Sequence, residues 1–171
     1  GLYVLLETIK KINKKSLKCN LYVSASVQEE MGLRGARIIN SNVNPDFSIA
    51  LEGTVSNDLP GVPAHKKLAQ LGNGPEIRIS DKYLIADRSF NNYLQDTANK
   101  KKINFQLTAK NAGGTNATAF QVTGKGSKAT VLSVPVRYLH SPSSVCLIKD
   151  VASTIKLLTA GILNIQKFKD E

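Results

Sequence analysis

A chain of 171 residues, 42% hydrophobic and 21% charged, is long enough for one globular domain with a sizeable core. It has no apolar run long enough to cross a membrane and no signal-peptide pattern, which argues against a membrane partner. The net charge of +10 comes from 23 basic and 13 acidic residues. The lysines fall in separate clusters (Lys10, Lys11, Lys14 and Lys15; Lys100 to Lys102) without a nucleic-acid motif. They read as solvated surface, with no nucleic-acid partner expected. Cys19 and Cys146 lie far apart without metal-finger or redox spacing and read as free thiols of a reducing compartment.

The chain opens as Gly1-Leu2-Tyr3-Val4, already in helical pattern and without an initiator Met. Leu2, Leu5, Leu6, Ile9 and Ile12 predict an amphipathic helix over 2–15. The apolar run Leu21 to Val27 predicts a buried strand. It leads into Gln28-Glu29-Glu30-Met31-Gly32-Leu33-Arg34-Gly35-Ala36, read as a glycine-punctuated turn and then a helix over 33–40. In open α/β sheets ligands bind at the carboxyl ends of strands, so Glu29 and Glu30 arrive where chemistry is expected. Two adjacent carboxylates repel and are costly to desolvate together. A divalent metal would let one ligate while the other handles a proton.

Asn44-Pro45-Asp46 predicts a turn. Phe47 to Leu51 predicts a second buried strand that ends at Glu52, with Gly53-Thr54 opening the next loop. A lone acid at a strand end is commonly a cap or turn former. Asp58, before Leu59-Pro60-Gly61, reads as a turn residue, and His65 as surface. Leu71-Gly72-Asn73-Gly74-Pro75 is a turn-rich loop, whose glycines either admit a substrate backbone or merely turn the chain. A strand follows over 76–80, a helix over 89–101 with Ser89 as its cap, and a strand over 103–109. Ala112 to Ala117 is a strand-to-helix turn. Val131 to Val136 is a strand near a sheet edge or end because of Pro135. It leads to His140, a credible ligand if its strand joins the sheet carrying the glutamates. A last helix spans 148–168, with Ile148, Val151, Ile155, Leu158, Ile162 and Ile165 on its buried stripe.

The run Gln28 to Ala36 resembles the signature of the tetrahedral, or glutamyl, aminopeptidases. Ala50-Leu51-Glu52-Gly53-Thr54 with Asp58-Leu59-Pro60-Gly61, then Leu71 to Pro75, then Val134-Pro135-Val136-Arg137-Tyr138-Leu139-His140-Ser141-Pro142 match in the family's order. The resemblance implies an α/β fold: a three-layer mixed β-sheet flanked by helices, zinc-peptidase-like, with residues 1–171 forming the C-terminal half of the catalytic domain. It implies two divalent ions, zinc or cobalt, about 3.5–4 Å apart around a shared water. Glu30, Glu52 and His140 would be metal ligands and Glu29 the general base. Peptide substrates, a cytoplasmic location and homo-oligomers from dimer to dodecamer are further implications. So is an absent upstream portion holding one ligand His, a metal-bridging Asp and the dimerisation domain. Asn116 stands where the family commonly has Asp, so a charge role there is in doubt.

Two other readings compete. A glycoside hydrolase also uses carboxylate pairs, but adjacent glutamates point in different directions and aromatics are few. A non-catalytic basic binding module would not require Glu29, Glu30, Glu52 and His140 together.

Overall fold

A computed structural model describes residues 1–170. Four strands form one mixed sheet: β1 (Phe47–Val55), β2 (Glu76–Ser80), β3 (Gln106–Ala109) and β4 (Lys128–Val136). The order is β1-β4-β2-β3. β1 runs parallel to β4 and β2 parallel to β3, while β2 and β4 are antiparallel. The described residues also form five α-helices: α1 (Leu2–Lys11), α2 (Arg34–Val43), α3 (Arg88–Lys100), α4 (Asn116–Val122) and α5 (Ile148–Leu163).

The two-residue period of the strands sorts their side chains between two cores. Ile77, Leu132 and Val134 join Val4 of α1, Leu94 and Ala98 of α3, and Ile155, Leu157 and Leu158 of α5. Ala50, Ala129 and Val131 point the other way, to Ala117 of α4. Buried Asn40 of α2 donates from Nδ2 to the carbonyls of Phe120 (3.1 Å) and Thr123 (2.8 Å), binding α2 to α4. The result is the expected three-layer α/β arrangement.

Several expectations need correction. The first helix ends at Lys11, because Asn13 caps a separate 3-10 turn by accepting from Lys15 N at 3.0 Å. Its buried side is Val4 and Thr8, while Leu2, Leu6 and Ile9 of the expected stripe are exposed. Residues 21–27 form no strand. Tyr22, Val23 and Val27 are exposed, and a cavity of about 650 Å³ lies between residues 18–24 and the first residues of β1. The run is apolar enough for a strand and β1 is the edge strand of the sheet, but the cavity lies between them and no ladder forms.

β1, in contrast, continues past Glu52. Gly53 and Thr54 stay in the ladder opposite Val134 and Pro135, since β4 extends far enough to pair with them. Pro135 lies in a central strand; its missing N–H is tolerated because the ladder with β2 reaches only Ser133. Asp87, not Ser89, caps α3, accepting from Phe90 N at 2.8 Å. The last helix stops at Leu163, with Ile148 exposed and Asp150 buried.

Candidate active site at the sheet's carboxyl end

Glu29 and Glu30 sit in a tight turn. Leu33 N donates to Glu29 O (3.0 Å), Arg34 N to Gln28 O (3.3 Å) and Gly35 N to Val27 O (3.1 Å). Gln28, Gly32 and Leu33 have φ of 58°, 95° and 59°. Gly35 permits the approach: a Cβ there would lie 2.7 Å from both N and O of Val27. The turn replaces the strand as the device that presents the two acids.

His140 lies beyond β4 on a loop closed at its base by reciprocal hydrogen bonds between Arg137 and Val145, at 2.8 and 3.1 Å. Tyr138 and His140 both have left-handed φ, 58° and 63°. Such conformations are uncommon outside glycine and cluster at functional sites. His140 Nε2 is 3.1 Å from Glu30 Oε1, with both side chains exposed. Glu52 is half-buried in β1. Burial, then the neighbouring Glu29 charge, pushes its carboxyl up to about 7, against the opposing pull of the Gly1 amino group, Arg78 and the Asn116 backbone N–H. Burial also raises Glu29; Glu30 adds to the rise and His140 opposes it.

The four expected site residues are thus neighbours, joined by one direct contact and by mutual electrostatic influence. Among the described residues no three His, Cys, Asp or Glu side chains converge closely enough to hold a metal ion. The donor set still fits a divalent cation in kind. Carboxylate and imidazole suit such ions, and the Glu29 and Glu52 carboxyls, raised first by burial and then by a neighbouring acid, have charged forms that a cation would favour.

Other residues at this end of the sheet were not marked as site residues by the sequence. Asn116 supplies a backbone N–H to Glu52, and its Nδ2 donates to Ser26 Oγ at 3.1 Å. Any residue but proline can furnish the N–H, so the exchange of acid for amide leaves that contact intact. Asp58 is no local turn former. It accepts from Arg137 Nε at 2.7 Å and Leu71 N at 3.0 Å, with Ser56 Oγ 2.8 Å away. Arg137 and Leu71 are distant in sequence, so no local pattern could reveal them. Beyond Glu52, Thr54 accepts from Arg78 Nη2 at 3.3 Å. Arg78 also pairs with Glu76 (3.2 Å) and Asp81 (3.0 Å), and Lys110 with Glu76 (2.9 Å).

The Leu71–Pro75 loop is held from two sides. Gly72 N and Gly74 N donate to the Asp150 carboxylate at 2.6 and 3.0 Å. Gln106 Nε2 donates to Gly74 O at 2.9 Å. Gly72 and Gly74 have φ of 91° and 85°, and a Cβ on Gly74 would lie 1.9 Å from Asn104 O. The two glycines serve turning and close packing. His65 and the lysine clusters are exposed, both cysteines are free and exposed, and no described helix is long and apolar enough to cross a membrane.

The chain is 32% identical to a glutamyl aminopeptidase of Lactococcus lactis over 99% of its own length and 46% of that protein. It superposes on an aminopeptidase of the archaeon Desulfurococcus kamchatkensis with a TM-score of 0.93 and 33% identity, covering all of this chain and 49% of the other. A Pyrococcus horikoshii TET1 peptidase, described as assembling into a tetrahedron or a large octahedral shell, superposes with a TM-score of 0.79 and 30% identity, covering 93% and 46%. The chain spans about half the length of the curated relatives it matches. Residues 1–157 match the family model described as M42 glutamyl aminopeptidase, and the chain belongs to that family.

Proposed function

We propose that this chain is the C-terminal part of a metal-dependent aminopeptidase that removes N-terminal residues from peptides. The observation that carries the reading is the neighbourhood of Glu29. It stands next to Glu30, which touches His140 at 3.1 Å, and close enough to Glu52 to raise that carboxyl. Glu30, Glu52 and His140 would hold two divalent ions, zinc or cobalt, with the remaining ligands outside this chain. Bound metal supplies Lewis acidity and a more acidic water.

Glu29 is the general base. Its raised affinity for protons suits a group that takes a proton from the attacking water and returns it to the departing amine. Asn116 N–H and Arg78 stabilise the charged form of Glu52 and so keep it ready to ligate. The 171-residue chain alone, holding three of the ligands, binds metal weakly. The intact protein is a homo-oligomer, a reading supported by the assembly described for the TET1 peptidase, and the family resemblance implies a cytoplasmic location.

The test follows release of the N-terminal residue from a short free peptide by the intact protein, with zinc or cobalt and with chelator, beside an N-acetylated control. Metal-dependent release from the free peptide alone is expected. Absence of release with every metal would refute the aminopeptidase reading. Chelator-insensitive cleavage of a glucan would support the glycosidase alternative instead.

A further inference from the structure

We propose that Asp58 and Arg137 form a latch that positions His140 against the carboxylates, a role that rests on the aminopeptidase reading. Three segments meet at Asp58. Its own segment follows β1, which carries Glu52. Through Oδ1 it receives Arg137 Nε at 2.7 Å. Through Oδ2 it receives Leu71 N at 3.0 Å, gripping the start of the glycine loop. Ser56 Oγ, within hydrogen-bond distance of Asp58 Oδ1 (2.8 Å) and Ala69 O (3.0 Å), reinforces the same join.

Arg137 is the first residue after β4 and the base of the loop that carries His140. Its main chain closes that loop against Val145, so fixing the Arg137 side chain fixes the loop's root. Above its base the loop is held by the His140–Glu30 contact at 3.1 Å, by Leu139 over Gly53 of β1 and by bonds within itself, Ser141 N to Tyr138 O at 3.1 Å and Ser144 Oγ to the same carbonyl at 3.0 Å. Tyr138 and His140 are themselves held in left-handed conformations. Such backbone persists only where surrounding contacts over-determine it. Asp58–Arg137 is the ion pair that ties the base of this loop to the segment after β1. The Asp58 side chain is only 10% exposed, so the charge-assisted bonds are partly shielded from water, where geometry counts most.

Asp58 and Arg137 touch no reacting atom; they are positioning residues. The test uses the intact protein and the variants Asp58→Asn and Arg137→Lys. Two readouts are taken: amide hydrogen exchange of Leu139, His140 and Ser141 without metal, and direct calorimetric titration with zinc. Loss of a group bonded directly to a ligand typically weakens metal affinity about 10–100-fold; Asp58 and Arg137 act one step further out, through the loop. The expected result is faster exchange confined to that loop and a loss of affinity of up to about 10-fold for the His140-dependent site. Arg137→Lys, which keeps the charge, recovers part of both, and melting temperatures stay within a few degrees. A purely structural role would lower melting temperature and raise exchange throughout the sheet while leaving zinc affinity intact, which would overturn the proposal. Unchanged exchange in the loop would overturn it as well. If the unsubstituted protein binds no zinc, the metal reading fails, and the exchange readout still decides the latch.

Discussion

Glu30 Oε1 and His140 Nε2 stand 3.1 Å apart, brought together by a turn before α2 and a loop after β4. Glu29, its neighbour, is the more shielded of the two acids. This division of labour predicts different defects from two similar substitutions. Glu29→Gln should leave zinc affinity nearly unchanged and lower turnover about 10²–10⁴-fold, the usual contribution of a general base. Glu30→Gln should weaken zinc binding. Calorimetry and turnover on the same preparations separate the two, and equal loss of zinc affinity in both would remove Glu29's assigned role.

The Glu52 carboxyl, raised from an ordinary 4.5 to about 7 by burial and then Glu29, gives the metal-free protein a pH signature. Between these values the folded state binds more protons than the unfolded state. The stability associated with neutral Glu52 is therefore fully present below about pH 4.5 and is lost as pH rises through about 7. The slope is at most about 1.4 kcal/mol per pH unit. Urea midpoints across this range should fall in the wild type more steeply than in Glu52→Gln. Zinc, competing with the proton, should flatten the wild-type slope. A wild-type slope equal to that of the variant would exclude Glu52 as its source.

Much of this fold is legible in local pattern. Helical spacing reveals α2 and α3, and β-branched alternation reveals β2 and most of β4. What local pattern misses has non-local causes. Gly53-Thr54 looks like a loop, yet pairing with Val134 and Pro135 keeps it in β1. Leu21 to Val27 has strand composition, yet it stands across a cavity from the free edge of β1 and does not pair with it, a separation that composition does not encode. Asp150 falls within the apolar pattern of α5, and only the fold shows that it receives Gly72 N and Gly74 N. Within the site, the acids and His140 are visible as residue types at strand ends. Asp58, Arg137 and the Asn116 N–H depend on partners in other elements and leave no local mark.

The buried group of Glu76, Arg78, Asp81 and Lys110 supports the sheet beside Glu52. Burial raises the Glu76 carboxyl, but the charges of Arg78 and Lys110 outweigh it and hold the group at about 2. Its stabilising contribution is thus present above about pH 4.5 and lost as pH falls toward 2. Glu76→Ala would leave Arg78 and Lys110 with only Asp81 as counter-charge. A cost of about 3–5 kcal/mol is expected, the range for breaking a buried pair by removing one partner. Urea unfolding at pH 7 measures it. A cost below about 1 kcal/mol would show that water or rearrangement compensates the cations.

Three glycines should respond differently to alanine because each is glycine for a different reason. Gly32 has φ of 95° and open space around it, so Gly32→Ala costs backbone strain, about 1–2 kcal/mol. Gly74 combines φ of 85° with a Cβ position 1.9 Å from Asn104 O, and Gly74→Ala should be the most destabilising of the three. At Gly35 the new Cβ would press on Val27 N and O at 2.7 Å, in the bonds that close the turn of Glu29 and Glu30. That turn sits beside partly exposed chain that can give way, so the stability cost should stay within about 1–3 kcal/mol, as for overpacking. The acids, however, move with the turn. Gly35→Ala should therefore lose more activity than Gly32→Ala, beyond what any difference in melting temperature explains. Melting curves and peptidase assays on the three variants check the order. If activity follows melting temperature alone across them, the Gly35 contact has no special part in placing Glu29.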